Sequence, residues 1–122
     1  MSSTIYNCRV NPLAQISGSP GADAVSPTYA AAIALDPNAG LVQLIAGVAA
    51  TSATSTVTTP NGGQFGQLLI VIVSDTGGVT VTFSTGFKAT GTVNPTTGKA
   101  IVVAFVSDGT YWREFSRSAS AQ

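Results

Sequence analysis

Hydrophobic and polar residues alternate along much of the second part of the chain, as they do in β-strands that bury one face. The alternation is regular over residues 79–84 (VTVTFS), which predicts a strand with one face in the core. Residues 67–74 (QLLIVIVS) and 100–107 (AIVVAFVS) are apolar at both odd and even positions, which predicts two central strands buried on both faces. Further strands are predicted over residues 54–59 and 111–117.

Short turn sequences separate these predicted strands. Asp75-Thr76-Gly77-Gly78 follows the first central strand and Asp108-Gly109 follows the second. An Asp side chain accepts hydrogen bonds from nearby backbone N–H groups, and Gly adopts positive φ without steric cost. We therefore predict that Asp75, Gly77, Asp108 and Gly109 form turns. Short strands with polar turns are typical of an all-β sandwich or barrel.

The first 40 residues differ in composition from the rest. They are rich in Ser, Ala, Pro and Gly, with only short apolar anchors between the breakers. Such a segment buries too little apolar surface to offset its chain entropy alone. We therefore expect an extended N-terminal arm over residues 1–40, held by its own domain or by a neighbouring subunit, and a β-domain over residues 41–122. The pattern leaves helix or strand open for residues 29–35 and 41–50.

Charged residues make up only 8% of the chain, with five acidic and five basic residues. Thr and Ser occupy positions that Glu, Lys and Arg fill in helix-rich proteins, which favours β-structure. Without a basic stripe or a polybasic run, nucleic-acid and membrane-surface binding are not expected, and we expect no targeting or spanning segment. A near-neutral surface does little to separate monomers, so we expect neighbouring subunits to cover much of it.

Few residues could carry catalysis or bind a metal. His is absent and Cys8 is the single cysteine, which removes the commonest general base and ordinary zinc sites. The five carboxylates are scattered; Asp75 and Asp108 could converge at strand ends, but turn formation is the favoured interpretation. We therefore expect a protein that is not an enzyme and needs no cofactor or metal.

The predicted last strand is rich in aromatic and basic residues. Strand periodicity places Tyr111, Arg113, Phe115 and Arg117 on one face, and Trp112 with Glu114 on the other. On one interpretation Trp112 is a core residue; on the other, the Tyr111 face is an exposed strip that meets a partner, since Tyr and Arg are enriched at interfaces. The two interpretations use opposite faces and are compatible. The candidate interface residues, with those of the arm, are Ile5, Tyr6, Arg9, Leu13, Ile16, Tyr29, Tyr111, Arg113 and Arg117.

Residues 66–118 resemble a short β-module that recurs in virion proteins of tailed phages. The resemblance rests on the strand 79–83, the segment 88–92, and the closing sequence 105–118 (FVSDGTYWREFSRS), with its "SDGT" turn, following aromatic and E-x-SR-like ending. It implies a jelly-roll-like antiparallel sandwich, usually trimeric, of the kind found in head decoration (cement) proteins, head fibres and tail fibres. The family has no catalytic residues that could be transferred to this chain.

The resemblance and the small size together favour a decoration protein. We expect a homotrimer on the outer capsid surface of a virion, with the major capsid protein as partner and the arm reaching across the lattice. The alternative is a tail-fibre or spike module that binds a host receptor or glycan. Exposed aromatic residues would be required for that function, and the candidates are Tyr111, Trp112 and Phe87.

Overall fold

The structure, a computed structural model, describes residues 23–118 and residue 122. This part of the chain contains ten strands and no helix. The strands are β1 (Ala24–Val25), β2 (Ala32–Ala34), β3 (Val42–Gly47), β4 (Thr54–Thr58), β5 (Leu68–Asp75), β6 (Thr80–Phe83), β7 (Phe87–Lys88), β8 (Thr92–Val93), β9 (Ala100–Ser107) and β10 (Trp112–Arg117). The prediction of an all-β protein is therefore confirmed.

The strands form two sheets. The larger has six strands in the order β1-β3-β5-β9-β10-β7, and the smaller has four in the order β2-β4-β6-β8. From β1 to β6 the chain alternates between the sheets, and strands that neighbour each other within a sheet run parallel. Three successive coils therefore stack on one another, with Ala24, Val42 and Ile70 in one row. This first part is arranged like a β-solenoid.

The direction of winding changes after β6. Strand β8 returns antiparallel to β6, β9 runs antiparallel to β5, and β10 pairs antiparallel with β9. Five of the eight strand pairings among the described residues are nevertheless parallel. The expected antiparallel arrangement is therefore wrong for the coils. Alternating side chains specify which face is buried, but they do not specify strand direction.

The two segments left open between helix and strand both contain strands. Residues 29–35 include β2, and residues 41–50 include β3. Residues 23–40, which the sequence pattern assigns to the arm, contribute β1 and β2 to the two sheets. Leu35, directly after β2, is 1% exposed in the core. Within the described residues, the sandwich therefore begins before Gly40.

The core lies between the inner faces of the two sheets. Its buried residues are Ile33, Leu35, Val57, Val79, Val81, Phe83 and Val93 on or beside the smaller sheet and its connections, and Ile45, Leu69, Val71, Val73, Phe87, Val103, Phe105 and Trp112 on the larger. The rings of Phe83, Phe87 and Phe105 pack with all three centroid separations at 5.1 Å. Tilted aromatic packing of this kind adds to the area burial of each ring.

Candidate functional site

The outer face of the six-stranded sheet is apolar and half-exposed. β5 and β9 occupy central positions in the sheet, but only their inner faces are fully buried, so the prediction of burial on both faces is wrong for both strands. Leu44, Leu68 and Val102 on the outer face are 36%, 47% and 37% exposed. We call this surface the apolar face; its residues are Val42, Leu44, Leu68, Ile70, Ile72, Val102, Ala104 and Val106.

The outer face of the four-stranded sheet is polar by comparison. Its outward positions are Ala32, Ala34, Thr54, Thr56, Thr58, Thr80, Thr82 and Thr92. Thr suits a strand that faces water, because it combines β-branching with a hydroxyl group. The chain therefore has one outer sheet surface suited to water and one that is not. A contiguous apolar patch on a sheet is typical of an interaction site.

Tyr111 and Arg113 lie at one end of the apolar face. Arg113 is opposite Val106 in the β9–β10 register, and its guanidinium forms an exposed ion pair with Asp108. Tyr111 is 37% exposed, and the Nζ of Lys88 lies 4.3 Å from the centre of its ring. These two candidate interface residues are therefore placed at the rim of the apolar face.

Arg117 does not join that strip. The β9–β10 register shifts between Ala104 and Phe105, so Phe115 is an extra residue and Arg117 lies opposite inward-facing Val103. Its guanidinium donates to Glu114 Oε1 and Oε2 at 2.8 Å each and to the carbonyl oxygens of Thr90 and Thr92. The predicted placement of Arg117 with Tyr111 and Arg113 is wrong, because a bulge changes the side-chain parity of a strand.

Two of the three aromatic residues proposed as a glycan platform are buried. Trp112 is 0% exposed and Phe87 is 5% exposed, so both are unavailable to a ligand. The indole Nε1–H of Trp112 donates to the carbonyl oxygen of Asn61 at 2.8 Å. Trp112 thus fills the core and anchors the 61–67 loop, as the core interpretation predicts.

The remaining arm residues divide between described and undescribed parts of the chain. Tyr29 packs against the core, and its hydroxyl donates to the Ser52 carbonyl oxygen at 2.7 Å. Burial and the nearby charge of Asp75 raise the pKa of Tyr29. Its contacts are therefore intramolecular. The other five candidates, Ile5, Tyr6, Arg9, Leu13 and Ile16, lie outside the described residues.

Asp75 ends β5 as a buried carboxylate, 2% exposed. Its Oδ1 accepts hydrogen bonds from the N–H groups of Gly77 and Gly78, at 2.6 Å each, and its Oδ2 accepts one from Val79 at 3.0 Å. Burial acts to raise the pKa of Asp75, but these three hydrogen bonds outweigh it and lower the pKa. The charge thus holds the turn that carries the chain from the larger to the smaller sheet.

Asp108 organises the β9–β10 turn at the surface. Its Oδ1 accepts from the N–H groups of Thr110 and Tyr111, and Gly109 has a φ of 94°. Hydrogen bonds from Tyr111, Arg113 and Thr110 lower the pKa of Asp108 to about 2. Because β5 and β9 run antiparallel, Asp75 and Asp108 lie at opposite ends of the sheet, separated by about 27 Å at the rise of a strand. They do not form an acid–base pair.

A polar depression beside the 61–67 loop was not predicted from the sequence. It has a volume of about 450 Å³ and is lined by Asn38, Asn61, Gly63, Gln64 and Gln67. Phe65, which follows Gln64 in the sequence but does not line the depression, is 86% exposed. An aromatic residue inside the polar sequence N-G-G-Q-F-G (residues 61–66) is the one indication of a site that the sequence offers here.

The comparisons with known proteins add no family. No protein-family model matches the chain, and no curated protein matches its sequence. Among the described residues, no three His, Cys, Asp or Glu side chains are grouped as metal ligands. No helix of the described part is long and apolar enough to cross a membrane.

Proposed function

We propose that the chain is a structural protein of a phage particle, which assembles as a homotrimer and stabilises the capsid as a decoration protein. The observation that carries this proposal is the apolar face. It has no charged residue among its eight positions, so identical copies can approach one another there without electrostatic repulsion or the cost of burying a charge.

The size of the apolar face limits what it can do alone. Strands of eight residues such as β5 and β9 are about 27 Å long, and three neighbouring strands span about 15 Å. The face therefore covers about 400 Å², whereas a stable interface uses about 800 Å² from each partner. We infer that the face forms the apolar centre of a contact between copies, and that the rim at Tyr111 and Arg113 contributes further area.

The phage assignment rests on the resemblance of residues 66–118. The three antiparallel pairings, β5–β9, β9–β10 and β6–β8, all fall within this stretch. We therefore propose that the jelly-roll-like relationship is confined to this part, with the first two parallel coils added before it. On the capsid, three copies joined in one trimer would gain avidity from repeated weak contacts with the major capsid protein, and binding only the assembled shell would stabilise it by mass action.

Sedimentation tests the assembly and capsid roles separately. The full chain is expected to have a trimeric mass in solution and to pellet with empty capsids. A variant lacking residues 1–22, which removes none of the described strands, is expected to stay folded and to lose capsid binding, because the arm makes the lattice contact. Undiminished pelleting of this variant would contradict the arm's role, and a monomeric full chain would contradict the assembly.

A tail-fibre or spike module that binds a receptor or glycan is the second candidate function. Exposed Phe65 beside the polar depression favours it, since aromatic rings and carboxamides are suited to saccharide recognition. Binding of the trimer to host cells without binding to capsids would favour this function over decoration.

A further inference from the structure

We infer that Phe65 and the carboxamide-lined depression beside it form a binding site for a neutral saccharide. We call this the Phe65 site; its polar lining consists of Asn38, Asn61, Gln64 and Gln67. The site does not lie on the apolar face, and the inference does not depend on the assembly proposed above.

The site is held in place by hydrogen bonds at its edges. Gln67 Nε2 donates to Asn38 Oδ1 at 3.1 Å, and Gln67 Oε1 accepts from the Gln64 N–H at 3.0 Å. The Gly63 N–H donates to Asn61 Oδ1 at 2.9 Å. Below the loop, Trp112 donates to the Asn61 carbonyl oxygen. These bonds orient three of the four carboxamides before any ligand arrives, which reduces the entropy cost of binding.

Polar groups remain free for a ligand. The Gln64 carboxamide has no hydrogen-bond partner within the described part of the chain, and Gln64 is exposed. The amide nitrogens of Asn38 and Asn61 donate to no group in residues 23–118. Carboxamides donate and accept, as do the hydroxyl groups of a sugar. The lining contains no charged side chain, so it favours a neutral saccharide over a phosphate or an acidic chain.

Phe65 supplies the apolar contact. Its ring is 86% exposed, so it contributes little to the core, and a ligand that covers it removes apolar surface from water. Phe65 directly follows Gln64 but does not itself line the depression. Its ring would therefore pack against the C–H face of a sugar that extends past the lining, while the carboxamides bind the sugar's hydroxyl groups. The volume of about 450 Å³ falls within the range of small-molecule sites.

Nuclear magnetic resonance of the full chain tests the site. The ¹⁵N-labelled protein is titrated separately with lactose, maltose, cellobiose and N,N′-diacetylchitobiose. At least one disaccharide is expected to shift the side-chain amide signals of Gln64 and Asn38 saturably, at millimolar concentration or below. Phe65→Ala is expected to weaken this binding about fivefold or more, and Gln64→Ala about threefold.

Phe115→Ala is the matched control, because Phe115 is a second exposed phenyl group, 59% exposed, in the β10 bulge. It is expected to leave saccharide affinity unchanged. The inference is overturned if no disaccharide shifts these signals, if Phe65→Ala binds as well as the unmodified chain, or if only a neutral Gly-Ser peptide shifts them. The mass of each variant in solution is measured in parallel, so failure of the site is distinguishable from failure of assembly.

Discussion

At the scale of single residues, Asp75 fixes the turn that follows β5. Its carboxylate accepts three backbone hydrogen bonds while 2% exposed. Three N–H groups that point into one buried site need an acceptor, because an unsatisfied buried donor costs about 1–3 kcal/mol. A negative charge satisfies all three, whereas a single amide oxygen satisfies fewer.

Asp75→Asn is therefore expected to lower the free energy of unfolding by about 2 kcal/mol at neutral pH, measured by urea denaturation. Asp23→Asn is the control, since the Asp23 carboxylate accepts no hydrogen bond from residues 23–118; it is expected to change stability by less than about 0.5 kcal/mol. Equal losses in the two variants would contradict the role of Asp75.

The lowered pKa of Asp75 also predicts a dependence on pH. Because the folded-state pKa lies below the unfolded value of about 3.9, the ionised group stabilises the fold fully above that value. This contribution is lost as pH falls through the folded pKa. Denaturation midpoints of the unmodified chain should therefore fall below about pH 4, and Asp75→Asn should show a shallower decline. Parallel acid profiles of the two proteins would show the prediction to be wrong.

A comparison of Gly86 with Gly91 distinguishes the cost of backbone strain from the cost of a steric clash. Both have positive φ, 90° and 63°. A Cβ at Gly86 would lie 2.3 Å from the Thr59 carbonyl oxygen, whereas a Cβ at Gly91 would meet nothing within 4 Å. We expect Gly91→Ala to cost about 1 kcal/mol from strain alone, and Gly86→Ala to cost at least about 2 kcal/mol more. Thermal denaturation compares them; similar costs would contradict the clash.

At the scale of strands, the bulge in β10 determines how the end of the chain is held. It turns Arg117 inward, where the guanidinium binds Glu114 and two carbonyl oxygens of the 90–92 segment. Glu114 in turn accepts from the Thr90 N–H at 2.9 Å, and these contacts lower the pKa of Glu114 against the opposing effect of burial. The last strand thereby fastens the β7–β8 connection.

Arg117→Ala is expected to destabilise the protein by about 2 kcal/mol, because a partly buried pair loses its cation and two carbonyls lose a donor. Hydrogen exchange at Thr90 should quicken in the same variant. Arg113→Ala is the matched control: its ion pair with Asp108 is exposed, and such pairs contribute about 0–1 kcal/mol. Unchanged exchange at Thr90 would contradict the fastening role.

At the scale of the whole molecule, the two outer sheet faces differ in polarity. One is mostly Thr, with Ala, and the other is Leu, Ile, Val and Ala. The difference predicts that copies associate through the six-stranded sheet and leave the four-stranded sheet in water.

Val102→Lys places a charge on the apolar face at a position 37% exposed in the single chain. We expect the fold to persist and the proposed trimer to dissociate at least about tenfold more readily, because a charge buried at a contact is costly. Thr56→Lys on the polar outer face is the matched control and should leave the mass unchanged. Sedimentation over a range of concentrations measures the oligomeric mass of both variants. If the Val102→Lys trimer is as stable as the unmodified one, the apolar face is not part of the contact between copies.

Much of the local structure follows from the sequence. The period-two pattern predicted strands that overlap β4, β5, β6, β9 and β10, since alternation and turn residues act over a few neighbours. The aromatic candidates illustrate the limit. The sequence offered Trp112 both as a core residue and as part of an aromatic platform with Tyr111 and Phe87. Only its packing on Gly63 and its hydrogen bond to the Asn61 carbonyl oxygen decide that it is buried.

Strand direction and sheet membership depended on the tertiary structure. A turn such as residues 75–79 is compatible with a hairpin or with a passage to the opposite sheet, and only the partner strands distinguish the two. The same holds for Arg117, because one bulged residue in β10 moves its side chain to the other face of the strand. It also holds for the carboxylates Asp75 and Asp108, whose separation depends on the antiparallel pairing of β5 and β9. Local chemistry determined that this chain forms strands and turns; contacts between residues distant in sequence determined the coils, the apolar face and the Phe65 site.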